Sequence, residues 1–340
     1  MGDFSGTVAW PSERRPPPAS RSRLAAPPPG TPYHRLARTR RFRWWVPPLA
    51  VVCLLALVLL TQLVLGIAGG IIAIFNGHIP TEESLLGSPL ANLAYMLFTL
   101  ATVIPLVLFT VRFVQWRPVG TLFSVDGRVR WRWFAVCALA ALPAVGTYLG
   151  LLYAAHAATA QSSQFLGTFV GSGAFLPALA TIVVLVPFQA SAEEIGLRGF
   201  LMQALGSYGA PPGERYGHGT WARFLRTPVL GIAVSGTVFT LLHDYVGWGL
   251  VSVGILGLAL AWLTWYTGGL EAAIGLHVLH NLAAFTLSAY EGTLDTVATG
   301  GGSLLDAVGT AAEVVLYGAV VVWLARRAGI RRTVPAAEEE

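Results

Sequence analysis

Residues 44–75 read WWVPPLAVVCLLALVLLTQLVLGIAGGIIAIF, an apolar run without a charged side chain. About 20 residues cross the hydrocarbon core of a bilayer as a helix, and this run exceeds that. It is also too long for the apolar region of a signal peptide and lacks a small-residue cleavage site at its end, so it is expected to stay as a membrane helix. Working outward with the same window places eight spans in all, at about 46–75, 89–113, 133–155, 173–200, 227–245, 248–266, 270–290 and 303–325. The chain therefore reads as an all-α, polytopic membrane helix bundle of about eight transmembrane helices. Composition agrees. The 340 residues are 54% hydrophobic and 11% charged, against roughly one-quarter charged in a soluble domain.

Every basic side chain among the 22 Lys+Arg is an arginine. Arg117, Arg128, Arg130 and Arg132 follow the second span, Arg215, Arg223 and Arg226 the fourth, and Arg326, Arg327, Arg331 and Arg332 the last. These segments lie on one side of the membrane, whereas the opposite loops near 76–88, 156–172 and 291–302 have no arginine. The positive-inside rule then puts both termini in the cytoplasm. Trp44-Trp45, Trp131, Trp133 and Trp221 fall at the predicted boundaries, where amphipathic rings anchor. Residues 1–43 are rich in Pro and Arg and read as a disordered cytoplasmic tail. Residues 44–172 then supply three spans, 173–290 the segment that carries the chemistry, 291–327 the last span and 328–340 a cytoplasmic tail. The dispersed arginines build no groove for nucleic acid. Cys53 and Cys137 lie in apolar runs and form neither a disulfide framework nor a cysteine zinc site. No internal repeat is visible, which weighs against a repeat-built transporter.

Ionisable groups inside spans are costly and are functional candidates by default. The densest cluster is Ser191-Ala192-Glu193-Glu194-Ile195-Gly196-Leu197-Arg198. On a helix Glu194 and Arg198 share a face and form an ion pair, while Glu193 points about 100° away. One acid is held and the other is free, so Glu193 is the expected general base. Phe239-Thr240-Leu241-Leu242-His243 and His277-Val278-Leu279-His280-Asn281 repeat the four-residue spacing. A neutral imidazole orients water and an asparagine amide stabilises an oxyanion, so these side chains supply the parts for amide hydrolysis.

In order, Glu-Glu-x-x-x-Arg at 193–198, Phe-x-x-x-His at 239–243 and His-x-x-x-Asn at 277–281 resemble the three motifs of the CAAX-processing and bacteriocin-processing (CPBP, Abi) membrane proteases, which include the Rce1-type prenyl protease. The resemblance covers about 173–290. It implies an eight-helix intramembrane peptidase with a cavity open to the cytoplasm, acting near the cytoplasmic leaflet on a membrane-embedded or lipid-anchored peptide. It also implies Glu193 as base, Glu194 and Arg198 holding its surroundings, His243 and His277 completing the water site, and Asn281 helping with the oxyanion. His280 has no role in that pattern. Family usage is often metalloprotease, and two histidines with a glutamate bind zinc as readily as they position water, so Glu193, His243 and His277 are the ligands if a metal is present; a His-Glu-x-x-His helix is absent, and a metal-free site is the favoured expectation with zinc left open.

Blander readings accompany these. Glu194 and Arg198 alone would be a structural ion pair, and His243 beside Asp244 an interfacial turn. Straight spans would set His243 about 24 Å along the fifth helix, far from a Glu193 at the inner face. The site therefore requires a recessed fifth helix or a fourth helix that carries Glu193 deeper. Asp306 and Glu313 receive no catalytic part, and His34, His78, His156 and His218 read as solvated. The competing functions are a catalytically inactive immunity or scaffold protein of the same fold and, ranked last, a transporter.

Overall fold

The computed structural model describes residues 24–82, 84–158, 166–296 and 299–336. Eleven α-helices occupy these segments: α1 (Val46–Phe75), α2 (Pro89–Ala101), α3 (Val103–Phe113), α4 (Trp131–Ala158), α5 (Ser172–Glu194), α6 (Met202–Gly206), α7 (Thr220–Leu225), α8 (Val229–Leu241), α9 (Gly247–Thr267), α10 (Glu271–Glu291) and α11 (Leu304–Arg327). A parallel pair of two-residue strands, β1 (Asp244–Tyr245) and β2 (Thr299–Gly300), ties two loops together. Among the described residues seven helical runs are long and apolar enough to cross a membrane, with α2–α3 forming one and α5–α6 another. This is a multi-pass, all-helical membrane architecture.

Local chemistry sets the helix ends. Pro47 and Pro48 open α1, where a missing N–H costs nothing. Gly268 and Gly292, both at positive φ, close α9 and α10 in the left-handed conformation that glycine adopts freely. Ser303 and Asp306 form a capping box at the start of α11, which accounts for Asp306.

Helix α10 is the centre, packed against α5, α4 and α9, while α11 packs on α4 and α9, α8 on α9, and α2 on α5. In the most apolar window of α10, 44% of residues are buried, against 11% in α1, so α1 is the helix that faces lipid most fully. Lipid supplies little hydrophobic drive between helices, so close approach depends on small residues. At the α8–α9 crossing Gly236 and Gly257 meet: a Cβ on Gly257 would lie 2.7 Å from Phe239 Cδ1 and 3.2 Å from the Gly236 carbonyl oxygen.

Three expectations change. The fifth span, expected at 227–245, is the 13-residue α8, which is about 20 Å long and stops short of a crossing. The fourth, expected to end near 200, runs from Ser172 to Gly206. The tail expected to be disordered through residue 43 packs from residue 24 onward, and residues 1–23 lie outside the described residues, as do 337–340 of the C-terminal tail. Tyr33 and Leu36 are fully buried, and His34, expected to be solvated, is 97% buried with its Nε2–H donating to the Arg226 carbonyl at 2.9 Å. Arg35 donates to the carbonyls of Tyr208 and Gly209, and Arg38 to that of Ser207. The arginines that make this segment look too polar to fold are satisfied by carbonyls at the end of α6, and Pro32 bridges to Thr333 near the other end of the chain. Gly206 permits the approach, because a side chain there would meet the His34 carbonyl.

Candidate active site

Four groups close into a ring inside the bundle. Glu193 and Gln189 lie four residues apart on α5, and Gln189 Nε2 donates to Glu193 Oε1 at 2.6 Å. Gln189 Oε1 accepts from Asn281 Nδ2 of α10 at 3.2 Å, and the same amide nitrogen lies 3.2 Å from His277 Nε2. His277 Nε2 stands 3.6 Å from Glu193 Oε2, which completes the circuit. Glu193 is 16% exposed, and its Oε2 is buried with no hydrogen-bond partner among the described residues.

A second layer holds the ring. His277 Nδ1–H donates to Glu194 Oε1 at 2.8 Å, and Arg198 Nη1 donates to the same oxygen at 3.0 Å. Glu194 and Arg198 are completely buried, and His277 is 1% exposed. Because Nδ1 carries the proton toward a carboxylate, Nε2 of neutral His277 presents its lone pair to Glu193 and Asn281. Arg198 is fixed on two further sides. Nη2 donates to the Gly257 carbonyl at 2.9 Å, and the guanidinium lies 4.4 Å over the Phe239 ring. Burial of this ion pair demands such satisfaction, since a charge left alone in the interior costs several kcal/mol.

Phe239, 1% exposed near the end of α8, is the hub to which the second motif attaches. Its ring meets His277 edge-on at 5.4 Å and His243 at 4.6 Å. His243 Nδ1–H donates to the Phe239 carbonyl at 2.7 Å, one of the carbonyls that a helix end leaves without a partner. Neutral His243 thus keeps Nε2 as an acceptor. Among the described residues His243 has no hydrogen bond to the acids and joins the cluster through the Phe239 ring. Depth is resolved by the helix lengths. His243 lies 14 residues past Val229 and Glu193 13 residues before Gly206, each about 20 Å from the arginine-bearing end.

The backbone changes register here. Residues Ile195–Leu201 form a π-helical turn between Glu194 and α6. Such insertions recur at functional sites because they re-aim side chains, and this one follows the two carboxylates directly.

The structure thus brings Glu193, Glu194, Arg198, His277 and Asn281 together and sets His243 beside them. Gln189 was missed, although its polar amide four residues before Glu193 in an apolar helix was a readable signal. Glu313, fully buried, accepts from His280 Nδ1 at 2.9 Å, a pairing 33 residues apart that no local spacing reveals. Among the described residues no group of three His, Cys, Asp or Glu side chains is arranged to hold a metal ion. Of the three residues named as zinc ligands if a metal is present, Glu193 and His277 face each other at 3.6 Å, while His243 joins them only through the Phe239 ring and its carbonyl.

Residues 172–283 match the family described as type II CAAX prenyl endopeptidase Rce1-like. The chain is 27% identical over 258 residues to the uncharacterized protein YyaK of Bacillus subtilis (strain 168), covering 71% of this chain and 78% of that protein. No solved structure matches significantly.

Proposed function

Because this chain carries a domain of the Rce1-like CAAX prenyl endopeptidase family at residues 172–283, we propose that it is an intramembrane endopeptidase that cleaves a membrane-associated peptide with a glutamate-activated water. The observation that carries this reading is the closed ring of Glu193, Gln189, Asn281 and His277, buried among apolar helices.

Each member has a role that follows from its partners. Gln189 occupies Oε1 of Glu193, so Oε2 is the basic atom and takes the proton of the attacking water. Glu194, itself neutralised by Arg198, fixes the Nδ1–H tautomer of His277, so that Nε2 accepts a hydrogen bond from that water. His243, locked as an Nε2 acceptor on the α8 side, shares that second O–H of the water with His277. The Asn281 amide donates to the oxygen of the tetrahedral intermediate, a type of contact worth about 3–4 kcal/mol where measured elsewhere. Protonated Glu193 then passes its proton to the leaving amine. No step requires a metal.

The arginine-bearing end is the cytoplasmic one in this reading, with both termini on that side, and the substrate is cleaved toward the inner leaflet. The family's name points to lipid-anchored CAAX-type peptides as the substrate class. Membrane-peptide profiling of cells carrying wild type or Glu193→Gln tests the proposal. Fragments that accumulate only with wild type, at equal membrane levels of the two proteins, are the expected result. Identical fragment patterns would remove the proposed base.

A further inference from the structure

A cavity of about 580 Å³ lies at the arginine-bearing end, away from the ring of Glu193 and His277, between the first turn of α4 and the chain that follows α11. Its lining has two characters. Arg128 and Arg132 supply cationic groups, and neither forms a salt bridge with any described residue, while Trp131, Trp133, Val136 and Ile330 supply apolar walls. Arg130, between them, is already committed. It holds Glu271 through Nε and Nη2 at 2.9 and 2.7 Å and donates to the carbonyls of Thr267 and Arg331.

The N-terminal end of α4 lies at the same place, and its dipole favours negative charge.

We infer that this cavity is a binding site for an anionic phospholipid, with Arg128 and Arg132 around the headgroup phosphate and Trp133, Val136 and Ile330 as apolar wall against the upper acyl chain. A phosphate accepts charge-assisted hydrogen bonds from guanidinium groups. The apolar lower wall and the exposed Trp131 at the membrane boundary select a lipid over a free anion, because a soluble phosphate gains nothing from them. The site also adjoins the Arg130–Glu271 ion pair at the first residue of α10, the helix that carries His277 and Asn281.

The test uses the full chain reconstituted with phosphatidylcholine containing phosphatidylglycerol, followed by native mass spectrometry of retained lipid. Each arginine near an anionic headgroup contributes on the order of fivefold in affinity. The double variant Arg128→Ala/Arg132→Ala is expected to retain phosphatidylglycerol about 30-fold more weakly. Arg215→Ala/Arg223→Ala, with the same loss of charge on another loop, should stay near wild type. Short-chain phosphatidylglycerol should displace the bound lipid where equal inorganic phosphate does not. Undiminished retention in the Arg128/Arg132 variant, an equal loss in the Arg215/Arg223 variant, or displacement by inorganic phosphate alone would each overturn the assignment.

Discussion

Removing the cation beneath the site should be far more damaging than an ordinary core substitution. Arg198→Leu leaves the fully buried Glu194 with a single imidazole donor, deletes the hydrogen bond to the Gly257 carbonyl, and takes a cation from the face of Phe239. Breaking a buried pair by removing one partner costs about 3–5 kcal/mol. The carbonyl bond and the ring contact are each worth about 1 kcal/mol more, although such terms do not simply add. Taking about 4 kcal/mol, and roughly 2–4 °C per kcal/mol for a chain of this size, the midpoint of thermal unfolding falls by on the order of 10 °C. The assay is a melting curve in nanodiscs, run as a double-mutant cycle with Glu194→Gln. The double variant carries neither buried charge and should recover about half of the loss. A drop under about 2 °C for Arg198→Leu, or a double variant as unstable as the sum of the singles, would refute the ion-pair reasoning.

Other consequences are accessible. Gln189→Leu frees Glu193 Oε1 and should lower kcat about tenfold with KM little changed, and an unaltered kcat would show that the amide does not tune the base. Gly257→Ala drives a methyl into Phe239, so overpacking of about 1–3 kcal/mol should accompany loss of activity, whereas Gly146→Ala, with open space around it, should be silent in both. Burial lowers the His34 pKa to about 4 from the ordinary 6.5. A detached segment then binds more protons between those values, so its attachment is complete above pH 6.5 and weakens as pH falls toward 4, by on the order of 3 kcal/mol in total. Hydrogen exchange of residues 24–43 should quicken over that window in wild type and lose that pH dependence in His34→Gln. Incubation with 1,10-phenanthroline should leave the proposed peptidase activity intact, since the proposed mechanism routes no step through a metal, and loss restored by zinc would contradict that mechanism.

How much of this was legible depends on the range of each interaction. Glu194 with Arg198, Phe239 with His243 and His277 with Asn281 are all four-residue relations on helices, and the chain writes such relations locally. The depth problem of His243 was legible as a problem. Its solution was not, because the early stop of α8 and the continuation of α5 through a π-helical turn to Gly206 depend on contacts with α9 and the 24–43 segment. That segment misled for a definite reason. Composition reports whether a stretch can bury a core by itself, whereas Arg35 and Arg38 find their acceptors on carbonyls some 170 residues away. The His280–Glu313 pair belongs to the same class, being joined by the packing of α10 and α11 on α4 rather than by a shared helix face.

Purified protein in liposomes, given a cleavable membrane peptide in water enriched in ¹⁸O, addresses the catalytic claim most directly. One ¹⁸O atom in the new C-terminal carboxylate from the wild type, with no product from Glu193→Gln, is the predicted result. Equal product from both proteins, or product from wild type without the label, would contradict a water activated by Glu193.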